Sequence, residues 1–267
     1  MPVTLDLPLD ALARRVSGED MAMYAGLIDR VDEARAVALS RDDLRPITEL
    51  YGGLECYLGG AYYVRDAVAF RNAVTAHQRL VGWIVRRFDP APAELLPDLC
   101  LSLIHGPAST RRMLVAAILT HDVAVADEDT SGVRARILAA TSNRDSALAV
   151  HEAKRLLDAC RDRQYSRRDT RVLMAFAVTA LRINTADIGR LPVCLAKMDA
   201  ARRALVEPEL ARMQQGGSTA ITAHDLIDLP GAALAAIASA RVGRTARASL
   251  PDTNFLDYRW MAGAGWA

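Results

Sequence analysis

Apolar side chains along this chain recur mainly at intervals of three and four residues, the spacing of one helical face, and no segment alternates convincingly as a half-buried strand does. A short first helix is predicted over residues 10–16, broken by Ser17-Gly18. Met23, Leu27, Ile28, Val31, Ala34 and then Val37 or Ala38 predict a second helix over 19–40. Further helices are expected at roughly 47–62, 65–87, 94–105, 109–126, 131–140, 144–161, 168–183 and 187–206. Ser109, Asn143, Ser166 and Thr185 stand where their side chains can cap exposed backbone N–H groups. Gly52-Gly53 and Gly59-Gly60 interrupt the third region; with no Lys-Ser/Thr after them, they read as packing or kink positions rather than a phosphate loop.

Short connections between successive helices favour antiparallel neighbours, so the predicted fold is all-α: one array of about ten to twelve helices, partly solenoid-like. No fixed sequence period supports a named repeat. Residues 1–267 read as a single domain. Asp89-Pro90-Ala91-Pro92 is the clearest linker, and can divide it into sub-layers over 1–88 and 93–267.

The chain's most distinctive stretch runs from Ile221 to Trp260. Gly231 to Val242 holds six alanines with Leu234 and Ile237, a strong helix former whose small sides allow close approach by neighbours. It is therefore predicted to be a buried central helix, with Asp228 as N-cap, Pro230 in the first turn and Gly243 as C-cap. Leu250-Pro251 forces a turn, and Phe255, Leu256, Tyr258 and Trp260 predict a tail docked back on the body.

Composition narrows the classes. At 51% hydrophobic and 24% charged, the 267 residues suit a globular chain with a substantial core. The 33 basic and 32 acidic residues nearly balance, which argues against a dedicated nucleic-acid binder. Cys56, Cys100, Cys160 and Cys194 lie far apart in apolar helical patterns and read as buried free thiols. No basic segment followed by an apolar run opens the chain, and no stretch is long and apolar enough to span a bilayer, so a cytoplasmic protein is expected.

Candidate chemistry is sparse. His121-Asp122 and His224-Asp225 are doublets of the kind that helical metal hydrolases use, and His105 with His121-Asp122 could start such a site, but no second acidic ligand can be named. The alternative for His121 is a helix end, where an imidazolium suits the dipole. No nucleophile elbow or catalytic cysteine context is present. Asp122, Asp127, Glu128 and Asp129 form the densest acidic run: a solvated loop, or a surface for a basic partner. Arg161, Arg163, Arg167, Arg168 and Arg171 are interleaved with Asp158, Asp162 and Asp169, as in an ion-paired helix junction. Arg241, Arg244 and Arg247 form a second basic turn that can pair with Asp252 and Asp257 or meet a partner.

Leu226 to Ala240, Leu250-Pro251, Phe255-Leu256 and Trp260 resemble the C-terminal segment of the all-α immunity proteins of bacterial polymorphic-toxin and type VI secretion systems, in particular immunity family forty-nine. The helix Arg112 to Val125, running into its acidic loop, is a weaker echo. The resemblance implies a non-enzymatic, cofactor-free cytoplasmic protein that binds a cognate toxin and blocks its active site or substrate access, without contacting nucleic acid or membrane itself. It brings no catalytic residues. Against a nuclease or nucleobase deaminase toxin, whose substrate face is basic, Asp127 to Asp129 would form the rim, with Asp122 and Arg241, Arg244 and Arg247 as further partner-binding candidates. The readings that remain beside it are a helical scaffold that binds a protein or peptide in a concave groove, and the metal-dependent hydrolase.

Overall fold

The computed structural model describes residues 18–41, 45–121, 130–162, 167–214 and 228–241. Among these residues it is all-α, with eleven helices and no strand. They are α1 (Gly18–Ala25), α2 (Val31–Arg41), α3 (Arg45–Tyr63), α4 (Ala67–Phe88), α5 (Leu96–His105), α6 (Ala108–Thr120), α7 (Thr130–Ser142), α8 (Ser146–Asp162), α9 (Arg167–Asn184), α10 (Leu191–Gln214) and α11 (Leu229–Arg241). A 3-10 turn, Ile188–Arg190, leads into α10. No helix among the described residues is long and apolar enough to cross a membrane.

Three chain reversals share one device. Arg65, Arg144 and Ala186 each take a left-handed backbone, with φ of 56°, 62° and 57°. In each case the N–H of the following aspartate reaches back to a carbonyl in the last helical turn: Asp66 to Ala61, Asp145 to Ala140 and Asp187 to Arg182. This pattern satisfies carbonyls that a helix end leaves without partners. Two of the aspartates then cap the next helix. Asp66 Oδ1 accepts from the N–H groups of Val68 and Ala69, and Asp145 Oδ1 from that of Leu148. One residue thus closes one helix while its neighbour opens the next, giving the tight antiparallel pairs α3/α4 and α7/α8.

Helices adjacent in sequence pack from α2 through α10, and alternate helices touch as well: α4 with α6, α5 with α7 and α7 with α9. That zigzag is the solenoid-like part of the array. Into it comes α11, which lies against α5, α7, α9 and α10. Ala232, Ala233, Leu234, Ala235 and Ala238 are completely buried, as expected for a helix enclosed by four others. Asp228 caps it as predicted, its Oδ1 accepting from Gly231 N–H at 3.1 Å. Most of the core is one apolar cluster running from Tyr57 to Ala238. A second, of residues from α2, α3 and α4, includes Val31, Leu54, Leu80 and Trp83. Both α3 and α4 contribute to each cluster, so the first layer is tied to the rest through their two faces.

Several expectations need correction. The helix predicted over 19–40 is two helices, α1 and α2, joined by a tight turn in which the N–H groups of Leu27, Ile28 and Arg30 bond back three residues. Gly26 and the polar Asp29-Arg30 pair allow the break, and the apolar spacing runs straight through it. Gly53 is a packing glycine: a Cβ there would lie 2.4 Å from Leu27 Cδ1. The cap assignments moved too. Pro107 rather than Ser109 precedes α6, Asp145 rather than Asn143 caps α8, and Thr185 sits at the C-terminal end of α9, its hydroxyl bonded to the Leu181 carbonyl. Cys100, Cys160 and Cys194 are buried, but Cys56 is exposed. The helix expected over 10–16, Ser166, Gly243, the Leu250-Pro251 turn and the docked tail lie outside the described residues.

Candidate functional site

Where the start of α6, the end of α7 and the end of α11 converge, the surface opens into a groove of about 680 Å³. Its floor is apolar, built from Leu103, Val115, Leu119 and Ile237. Four arginines line it: Arg111 and Arg112 from α6, Arg144 from the α7–α8 turn and Arg241 from the last turn of α11. Among the described residues no aspartate, glutamate or aromatic residue shares the lining.

The four cations are held differently. Arg241 is anchored: its guanidinium donates to the carbonyls of Ile183 and Thr141 and lies 3.4 Å from Asn184 Oδ1. Asn184 in turn donates to Thr141 Oγ1 at 2.9 Å. A single side chain therefore neutralises the negative ends of α7 and α9 and ties both to α11. Burial, and then the charge of Arg144, push the Arg241 pKa below its ordinary value. Arg111, Arg112 and Arg144 have no carboxylate partner among the described residues. Arg144 is exposed and sits in the left-handed backbone of its turn, where glycine is the unstrained choice. The start of α6 adds its positive dipole end, since Pro107 supplies no capping side chain. The result is an open, uniformly positive groove with a greasy floor.

No family model, curated protein or solved structure matches this chain.

Of the sequence-predicted partner residues, Arg241 alone falls among the described residues, and the structure gives it an internal structural role at the edge of the groove. Asp122, Asp127, Glu128, Asp129, Arg244 and Arg247 lie outside them. The chain is nevertheless held firmly on both sides of the acidic run. His121 ends α6, its Nδ1 donating to the Ala117 carbonyl at 2.8 Å and its Nε2 lying 3.3 Å from Asp89. Its own carbonyl accepts from Arg136. Arg136 is buried against Glu152 at 3.0 Å, and Glu152 also accepts from Arg155 at 2.7 Å. His121 is thus a helix-end histidine within a polar chain from Asp89 to Arg155.

The metal-hydrolase reading gains nothing from this arrangement. Among the described residues no three His, Cys, Asp or Glu side chains converge to hold an ion. His105 closes α5, where burial and Arg71 lower its pKa. Asp122 lies outside the described residues, so the doublet's second half is not placed.

One buried polar network escaped the sequence reading. Asp98, on α5, receives Tyr51 Oη at 2.7 Å and lies 2.7 Å from His77 Nδ1. The Tyr51 and His77 rings pack in a tilted contact, with centroids 4.1 Å apart and planes at 48°. Burial first, and Asp98 second, raise the Tyr51 pKa far above its ordinary value. The network pins α3, α4 and α5 to one another at the junction of the two core clusters, and Tyr51 and Asp98 also border a cavity of about 480 Å³. Tyr51, His77 and Asp98 lie 26 and 21 residues apart along the chain, on three different helices, and nothing local announces their meeting.

Proposed function

We propose that this chain is a non-enzymatic immunity protein of the cytoplasm, which binds a cognate toxin domain and blocks its active site or substrate access. The observation that carries the reading is the arginine groove: four cations over an apolar floor, three of them without a carboxylate partner among the described residues. Interfaces draw their affinity from desolvated anchors surrounded by a charged rim, and arginine is favoured there for its rigid, planar donors. Among the described residues the lining holds no aromatic stacking platform, which favours a protein ligand over a single-stranded nucleic acid. A toxin segment with carboxylates flanking one or two apolar anchors has the matching chemistry. The C-terminal resemblance to immunity family forty-nine supports the same conclusion.

The test is co-expression with the product of the adjacent open reading frame. A neighbour that is lethal alone, tolerated with this chain, and recovered in a complex that Arg111→Glu with Arg144→Glu disrupts is the expected result. A harmless neighbour, or a complex indifferent to those two reversals, overturns the reading.

A further inference from the structure

We infer a second docking site, for an acidic amphipathic helix of a protein partner, in the groove between α9 and α10. This inference stands apart from the immunity reading and uses different residues. The groove encloses about 760 Å³. Its rim carries Arg171 and Arg182 from α9, Arg190 from the 3-10 turn and Lys197 from α10, with no carboxylate in the lining. Among the described residues only Arg182 and Arg190 of these four approach an acid, both sharing Asp187 at 2.7 and 3.9 Å.

Its floor is made of small and flexible apolar side chains. Met174 and Val178 come from α9, and Ala200, Ala201 and Ala204 from α10. Alanines let a third helix approach closely, and methionine adapts to irregular partners. Val193 also lines the groove and is 57% exposed, high for a branched apolar side chain on a well-packed helix. The position in the fold leaves this face open among the described residues. Among the described residues α10 packs mainly on α9, the 3-10 turn and α11. A helical array needs a polar outer face on its terminal element to end cleanly. Here the described face of α10 presents apolar side chains between cations instead.

The length fits one occupant. Arg171 and Arg182 stand eleven positions apart on α9, about 17 Å or three helical turns. A helix with leucines at i, i+3, i+4 and i+7 lays its apolar face into such a groove, and glutamates on its flanks meet the rim. The chain's own last segment has the wrong charge for the site: Arg244, Arg247 and Arg259 outnumber Asp252 and Asp257.

The probe is a fluorescein-labelled synthetic helix of about fifteen residues with that leucine pattern and glutamate elsewhere, set against a twin with lysine in place of glutamate. Anisotropy on the full chain should show saturable binding of the acidic peptide, weakened at least tenfold for the lysine twin and sharply by added salt. Arg171→Glu with Lys197→Glu, both at exposed positions, should reverse the preference. Ala200→Trp should abolish binding of either peptide while the circular dichroism spectrum is kept. Equal binding of the two peptides, binding of neither, or a concentration-dependent dimer in sedimentation that Ala200→Trp disrupts would overturn the inference, the last by making a second copy the occupant. The assay uses no toxin, so its failure leaves the immunity reading untouched, and a negative co-expression result leaves this site untouched.

Discussion

Replacing Arg144 by glycine is expected to make the chain more stable and a poorer binder. Arg144 holds φ at 62°, a conformation that places an L side chain against its own backbone at about 1–2 kcal/mol. Glycine adopts it freely but loses more backbone entropy on folding, about 0.5–1 kcal/mol. Arg144 also makes no compensating ion pair among the described residues, and its charge disfavours that of Arg241. The balance for Arg144→Gly is a gain of about 0.5–1 kcal/mol. Urea unfolding followed by circular dichroism should show a higher midpoint with an unchanged slope. Arg65→Gly is the control: the same backbone strain is relieved, but the guanidinium lies 4.7 Å from the Tyr62 ring centroid, and losing that stacking offsets about 0.5–1 kcal/mol. Toxin affinity should fall with Arg144→Gly and hold with Arg65→Gly. A destabilised Arg144→Gly chain, or one that binds its partner as well as before, would refute the argument that a strained position is kept for the cation it displays.

Other outcomes follow from the interior. Asp98→Ala strips a buried acceptor from both Tyr51 and His77 and should cost about 3–5 kcal/mol in urea unfolding, whereas Tyr51→Phe should cost about 1–2 kcal/mol; near-equal losses would remove Asp98 from the centre of the network. Ala235→Leu adds bulk to a fully buried side of α11 and should destabilise by about 1–3 kcal/mol, with a null effect showing that the helix is not tightly enclosed. At alkaline pH, Tyr51 and Cys100 both have folded pKa values raised above their ordinary 10.0 and 9.0. The unfolded chain then loses those protons first, so their contribution is complete below about pH 9 and declines above it, by up to about 1.4 kcal/mol per pH unit for each group. The decline above pH 10 should be shallower in Tyr51→Phe, and an identical slope would show that Tyr51 ionises as readily folded as unfolded.

Signals that act over a few residues were legible in the sequence. The alanines of α11, with Asp228 and Pro230 at its head, announced both the helix and its burial, because helix propensity, capping and small side chains all point the same way there. His121 was read as a helix end only as the alternative to a metal ligand, while the helix expected over 109–126 ran past it; the structure ends that helix at Thr120. The break between α1 and α2 was not legible, since Met23, Leu27, Ile28 and Val31 keep helical spacing across it and only backbone hydrogen bonding reveals the turn. The caps were misplaced because serine, asparagine and threonine near a boundary all look suitable, whereas the aspartate after a left-handed residue does the work at Asp66 and Asp145. Arg65, Arg144 and Ala186 gave no warning of that conformation, which glycine or asparagine would have signalled. The groove was invisible for another reason. Arg111 and Arg112, Arg144, and Arg241 come from three parts of the chain and meet only through packing, and only Arg241 belonged to a run that stood out. The Tyr51, His77 and Asp98 network was hidden in the same way.

The central claim is that a toxin with an acidic contact surface seats in the arginine groove. Its most direct test is the affinity of the purified chain for the product of the adjacent open reading frame, by isothermal titration calorimetry, for the native chain and for Arg111→Glu with Arg144→Glu. Both reversals sit outside the core, so unfolding midpoints should be little changed. The account predicts that the native complex forms and that the two reversals together weaken it at least a hundredfold, with the loss smaller at high salt. Affinities within about twofold of each other would contradict it and move the interface elsewhere on the molecule.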